Sequence, residues 1–258
     1  MRDEGVPRGP GGPPYNNPRA LCVRSVNRMA NVFITGATGF MGRRLAAELL
    51  VRGHRVRGLA RAGSESRVAI GSEITTGDPL RAATYVGALS GFDTLVHLVG
   101  VAHPSPAKKE QFVSIDLASA LEAVDAAKRA GVRHLVYVSV AHPAPVMRDY
   151  IKARTAAEGA IGASGIDASI LRPWYVLGPG RRWPLAIVPL YWMMEALPSM
   201  RGPARRLGLL SAGQMVASLA RAVEDPAGGV RVWEVPEIRA MSKQATTVQS
   251  GNAVRLQR

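Results

Sequence analysis

Asn31-Val-Phe-Ile-Thr-Gly-Ala-Thr-Gly-Phe-Met-Gly42 decides the fold. Val32 to Thr35 are β-forming residues that run straight into Gly36, Gly39 and Gly42, and apolar residues then recur at helical spacing through Phe40, Leu45, Leu49 and Leu50. The order is strand, glycine turn, helix. Gly36 lets the chain turn sharply off the strand, Gly39 has no Cβ to block an approaching pyrophosphate, and Gly42 lets the helix lie close to the sheet. The unpaired N–H groups and positive dipole end of that helix then face the phosphates. Thr38, Gly39, Phe40, Met41 and Gly42 are the residues expected around them.

The spacing Gly-x-x-Gly-x-x-Gly resembles that of the extended and atypical short-chain dehydrogenases/reductases. The rest of the chain follows suit. A first helix over about 40–52 leads through Gly53-His54 to a second strand at Arg55 to Leu59, and Ala60-Arg61 follows. An NAD-preferring fold places an acid there against the ribose 2′-hydroxyl. An arginine fork pairs with a 2′-phosphate instead, so Arg61 favours NADP(H) over NAD(H); the plainer reading is an exposed loop arginine. A third strand at Ile74 to Thr76 ends in Gly77-Asp78. The resemblance puts Asp78 beside the adenine amino group, while its chemistry also suits it to cap a helix starting near Leu80.

Thr94 to Val99 is an apolar run suited to a central parallel strand, with His97 as a packed residue within it. A helix is predicted over about 109–130 with Gly131 as its stop, and a fifth strand over His134 to Ser139. Alternating strands and helices predict an α/β fold: a doubly wound parallel sheet of Rossmann type, with a small C-terminal lobe on the substrate side. The loops after Thr35, Leu59, Thr76, Val99 and Ser139 then meet in one crevice. The expected divisions are an extension over 1–28, a dinucleotide domain over 29–172, the small lobe over 173–238, and a basic tail over 239–258.

Leu135-Val-Tyr-Val-Ser139, Tyr150-Ile-Lys-Ala-Arg-Thr-Ala-Ala-Glu158 and Ser164-Gly-Ile-Asp-Ala-Ser-Ile-Leu-Arg-Pro-Trp-Tyr-Val-Leu-Gly-Pro-Gly180 carry the resemblance further. They are most similar to the atypical group related to the nucleotide-binding accessory subunit of respiratory complex I. The resemblance implies cofactor contacts at Leu98, Val99, Gly100, Tyr150 and Pro173. It also implies a catalytic Tyr and, four residues later on the same helix face, a Lys, with a serine to orient a carbonyl. Tyr150 is present, but the i+4 residue is Arg154, and Lys152 stands at i+2. The usual serine position falls near Ala141, leaving Ser139 or His142 as displaced candidates. Two readings stay open. The chain is an oxidoreductase acting on a carbonyl or quinone-like substrate with Tyr150 as proton donor and Arg154 and Ser139 beside it, or a non-catalytic NADPH-binding accessory or redox-sensing protein.

Composition narrows the field. The 258 residues carry a net charge of +14, which by itself suggests a polyanionic partner. About half of the excess lies in the two ends: residues 1–28 hold five Arg against Asp3 and Glu4, and residues 239–258 hold three Arg and Lys243 with no acid. Solubilising ends therefore explain it better than nucleic-acid binding, and neither a zinc-ligand cluster nor an RNA-binding pattern stands in the sequence. A lone cysteine, Cys22, excludes an internal disulfide and suits a reducing cytosol. Residues 1–28 read as an extension dispensable for folding. Residues 183–197 are apolar but broken by Pro184, Pro189 and Glu195, too short to span a bilayer. They suit a core helix, a lid over a lipophilic substrate, or a helix lying on a membrane surface.

Overall fold

A computed structural model describes residues 29–144, 146–178 and 207–242. Nine strands are described: β1 (Asn31–Thr35), β2 (Arg55–Ala60), β3 (Glu73–Thr76), β4 (Thr94–His97), β5 (His134–Val138), β6 (Asp167–Leu171), β7 (Tyr175–Leu177), β8 (Leu209–Ser211) and β9 (Val230–Trp233). Seven of them form one sheet in the order β3-β2-β1-β4-β5-β6-β9, with every neighbouring pair parallel. β7 and β8 pair separately. The strand order reverses between β1 and β4, and a crevice opens there beyond the carboxyl ends of the strands.

Alternation along the strands sends side chains to two cores. Val32 and Ile34 of β1 join Leu45 and Leu49 of helix α1 (Phe40–Val51) and Met215, Leu219 and Val223 of a later helix, Ala212–Glu224, on one face. Phe33 points the other way, into a cluster with Leu95, Tyr137, Ala120, Ala123, Ala127 and Ile161. The helices on that second face are α2, made of Lys109–Gln111, a π-helical turn Phe112–Leu117 and Ala118–Ala130, and α3 (Arg148–Gly162). The predicted stop at Gly131 is there, in the left-handed conformation with φ 67°. The helix Ala212–Glu224, α4, begins with a full capping box: the Ser211 hydroxyl accepts from the Gln214 amide at 3.1 Å and the Gln214 side chain accepts from the Ser211 amide at 2.9 Å. Ser211→Ala should lower stability by about 1 kcal/mol, read as a shift in the urea midpoint with the slope unchanged.

Two expectations need correction. No α-helix starts near Leu80; short 3₁₀ turns, Ala82–Thr84 and Val86–Leu89, stand there, because the Thr84 hydroxyl folds back on the Arg81 carbonyl at 2.7 Å and tightens the turn. The tail expected from 239 begins later: after β9 the residues 235–242 are helical, so the chain stays folded past Arg239. Val235 and Ile238 are fully buried there, and Arg239 donates to the Leu209 carbonyl at 2.8 Å. In the C-terminal part, β7 and β8 form their own pair, β9 extends the main sheet beside β6, and α4 packs along α1. Residues 1–28 and 183–197 lie outside the described residues. Among the described residues no helix is long and apolar enough to cross a membrane.

Candidate dinucleotide site

The turn after β1 has the geometry expected from its glycines. Gly36 has φ 75°, and a Cβ there would come within 2.8 Å of the Leu98 carbonyl carbon and oxygen. A Cβ on Gly42 would press on the Gly36 carbonyl oxygen and stand 2.7 Å from the Ala37 Cα. Helix and loop are therefore as close as backbone allows. Gly39, the N-cap of α1, has an extended conformation and supplies no side-chain cap, and the first turn carries no acid. The contrast with the capped α4 is direct: α1 leaves its first amides to a ligand, and an anion is what such amides and the helix dipole favour. The residues present thus fit a pyrophosphate.

Around this turn lies a cavity of about 210 Å³ lined by Phe40, Met41, Leu98, Val99, Val138, Arg154, Val176 and Met215. Phe40 is held from two sides: the Arg44 guanidinium stacks 3.9 Å from its ring centre, and a Cβ on Gly178 would lie 2.6 Å from its ring edge. Arg61 follows β2 directly and is exposed. Asp78 closes a local turn, its Oδ1 accepting from the Leu80 amide at 2.9 Å. Thr38 is half-buried in the glycine turn. Pro173 is buried, and its carbonyl accepts from the Ala141 amide at 2.9 Å, joining the loops after β5 and β6.

Tyr150 and Arg154 come together on α3. The Arg154 Cζ lies 5.2 Å from the Tyr150 ring centre, and Phe112 packs on the same tyrosine with ring centres 5.0 Å apart. Lys152 is exposed. Arg154 is only 6% exposed. Its Nη2 donates to Asp116 Oδ1 at 2.5 Å, and its Nη1 to the Val138 carbonyl at 2.7 Å and the Tyr137 hydroxyl at 3.3 Å. Burial works against the charge on Arg154, but the fields of Tyr150, Tyr137 and Asp116 outweigh it and hold the guanidinium above its usual range. Burial pushes the Asp116 carboxyl up from its ordinary range, opposed by Arg154 and by the Val101 amide, which donates to Asp116 Oδ2 at 3.0 Å.

Asp116 is the site residue that the sequence reading missed. The signal was present: it stands four residues after Phe112 and four before Ala120, both buried, so an acid occupied the inward stripe of the helix. Gly100 has a structural role of its own. A Cβ there would strike Arg154 Nη2 and come 3.0 Å from Asp116 Oδ1, so its small size makes room for this ion pair.

Neither Ser139 nor Tyr150 is among the cavity-lining residues; Tyr150 stands behind Arg154, which is. Ser139 is 3% exposed and stands beside the Glu158 carboxylate, in a polar cluster where Arg172 Nε donates to Glu158 Oε1 at 3.0 Å and Arg172 Nη1 to Glu234 Oε1 at 2.9 Å. His142 Nε2 belongs to the same cluster, 3.6 Å from Glu158 Oε2. Burial would raise the Glu158 pKa, but Arg172 and Ser139 hold it below the usual range. His97 is the packed strand residue expected: Thr35 Oγ1 lies 2.8 Å from its Nδ1, and burial, helped by Arg154, takes its pKa down to about 3.

Comparison with known proteins agrees with this geometry. A family model described as NAD(P)H-binding matches residues 36–181, more than half of the chain. A ceramide reductase of Caulobacter vibrioides is 28% identical over 224 residues, covering 86% of this chain and 69% of that protein. A 3 beta-hydroxysteroid dehydrogenase/Delta 5-->4-isomerase of Mycobacterium tuberculosis is 32% identical over 117 residues, which cover 43% of this chain and only 32% of that enzyme. The crystal structure of the Bordetella bronchiseptica enzyme WbmH in complex with NAD+ superposes with a TM-score of 0.60 at 22% identity, covering 80% of this chain and 76% of that one; the likeness is one of fold. With its uncapped glycine turn, its strand order and its match over residues 36–181, the chain belongs to the NAD(P)H-binding family.

Proposed function

We propose that this protein is an NADP(H)-dependent reductase of a lipophilic carbonyl or quinone-like compound, with Tyr150 as the proton donor. The observation that carries the proposal is the placement of Tyr150 against a buried, permanently charged Arg154 that also lines an apolar cavity beside the open amides of α1. A bound dihydronicotinamide would supply the hydride. The chain's part is to hold the carbonyl near Tyr150, to exclude water with Leu98, Val99, Val138 and Met215, and to give the phenol proton to the carbonyl oxygen as the alcohol forms. Arg154, anchored by Asp116, keeps a positive charge against the Tyr150 ring while that proton leaves. Two relatives are named for ceramide and for 3 beta-hydroxysteroids, both lipophilic molecules, which supports a lipophilic substrate here. Surface contact of residues 183–197 with a cytoplasmic membrane face would bring such a substrate within reach.

Tyr150→Phe should leave NADPH binding within about threefold while lowering turnover of a responsive aldehyde, ketone or quinone by about a hundredfold or more. The readout is NADPH absorbance against a substrate panel, beside calorimetric binding. Full activity in the variant would remove Tyr150 from the chemistry. Preference for the 2′-phosphate is a separate expectation: Arg61→Ala should weaken NADPH about tenfold and leave NADH unchanged. Equal losses for both would contradict that role.

A second reading has its own support. With Ser139 buried beside Glu158 and both ends of the Arg154 fork engaged by protein, the chain also suits a module that holds NADPH without turnover. Saturable NADPH binding with no oxidation across the panel favours it.

A further inference from the structure

We propose that Asp116 is a positioning residue that sets substrate specificity: by neutralising Arg154 it makes the cavity selective for an uncharged carbonyl compound and hostile to keto acids and other anions. The proposal rests on the reductase reading. Arg154 is the one charged side chain among the described residues lining the cavity, between walls that include Leu98, Val99, Val138, Val176 and Met215.

A lone guanidinium in such a wall would be a strong attractor for a carboxylate, which it binds with a two-pronged fork. Here both terminal nitrogens are already engaged, and only the buried Nε keeps no partner among the described residues. Asp116, with no exposed surface, takes Nη2 at 2.5 Å, and the Val138 carbonyl takes Nη1 at 2.7 Å. Asp116 is itself fixed, since its second oxygen accepts the Val101 amide at 3.0 Å and Gly100 packs against the pair without a side chain. Opposite charges so close act on the cavity as a dipole, whose field falls off faster than that of a single cation. An anion entering would lose its water and meet no counter-charge, whereas a neutral carbonyl gives up far less.

The test uses the full chain and two probes of the same shape, benzamide and benzoate. NADPH uptake is recorded first by calorimetry, and the loaded protein is then titrated with each probe. Wild-type protein should bind benzamide at least about tenfold more tightly than benzoate. Asp116→Asn keeps the shape and removes the charge, and should gain about tenfold or more for benzoate. Adding Arg154→Gln to that variant should abolish the gain, which a purely structural role for Asp116 does not predict. Benzoate bound by wild-type protein as well as benzamide, or no gain in a folded Asp116→Asn variant, would overturn the proposal. If the variant does not fold, the wild-type comparison decides. Absence of NADPH uptake counts against the reductase reading instead, and the same probe ratio on the free chain still decides the electrostatic claim.

Discussion

Arg154→Met should destabilise the protein by about 3–5 kcal/mol, because it strands the Asp116 carboxylate in the interior without its partner. Asp116 has no exposed surface, and without Arg154 it keeps only uncharged partners, the Val101 amide and its own. For a chain of this size such a loss corresponds to a fall in Tm of about 10 °C or more. The loss should also depend on pH in a definite direction. Burial already raises the folded-state pKa of Asp116, and removing Arg154 takes away the largest opposing influence. A carboxyl raised in the folded state binds more protons there than in the unfolded chain. Its contribution to stability is therefore fully present below the unfolded carboxyl pKa of about 4 and is lost as pH rises through the folded value. The variant's deficit should be smaller at pH 5 than at pH 8, measured by urea unfolding at both. A deficit that is the same at both pH values would mean that Asp116 is not the group left behind.

Gly39→Asp should separate the fold from the ligand site. The backbone at Gly39 is extended, with φ −78° and ψ 172°, so an L-residue fits the conformation. Among the described residues the nearest approach is to the Gly36 carbonyl oxygen, 3.1 Å from where a Cβ would sit, a contact that a small shift relieves. Aspartate is a preferred N-cap, and it would accept from the first amides of α1 and complement the dipole. Stability should stay within about 1 kcal/mol of wild type. The same carboxylate would occupy the amides that a pyrophosphate needs and would repel its charge. NADPH affinity should fall by about a hundredfold or more. The pairing of an intact fold with a lost ligand is the informative result. Equal affinity in the variant would show that the helix terminus does not carry the phosphates.

Much of the fold was legible because local signals and the core agree. β1 and α1 follow from a β-forming run meeting three spaced glycines, and α2 from apolar residues at helical intervals ending on Gly131. What was not legible depended on packing between distant segments. The π-helical turn at Phe112–Leu117 adds a residue to the helical turn and brings Asp116 to Arg154, which is 38 positions away. No periodicity in either segment announces that pair. Ser139 was a reasonable candidate at the end of a strand, yet it is buried there, away from the cavity lining, next to Glu158 of α3. The helix at 235–242 is short and opens on Val235-Pro236, and it is tied to α4 and β8 by the Ser218 hydroxyl on the Ile238 carbonyl and by Arg239 on the Leu209 carbonyl, contacts between segments distant in sequence.

Titration calorimetry of the full chain with NADPH and with NADH, run beside Gly39→Asp, bears on everything above. Saturable uptake of NADPH by the wild type, weaker uptake of NADH, and loss of both in the folded variant are the expected results. A wild-type chain that takes up neither dinucleotide, or a variant that binds as well as wild type, would contradict the assignment of the α1 amides as the cradle of the cofactor.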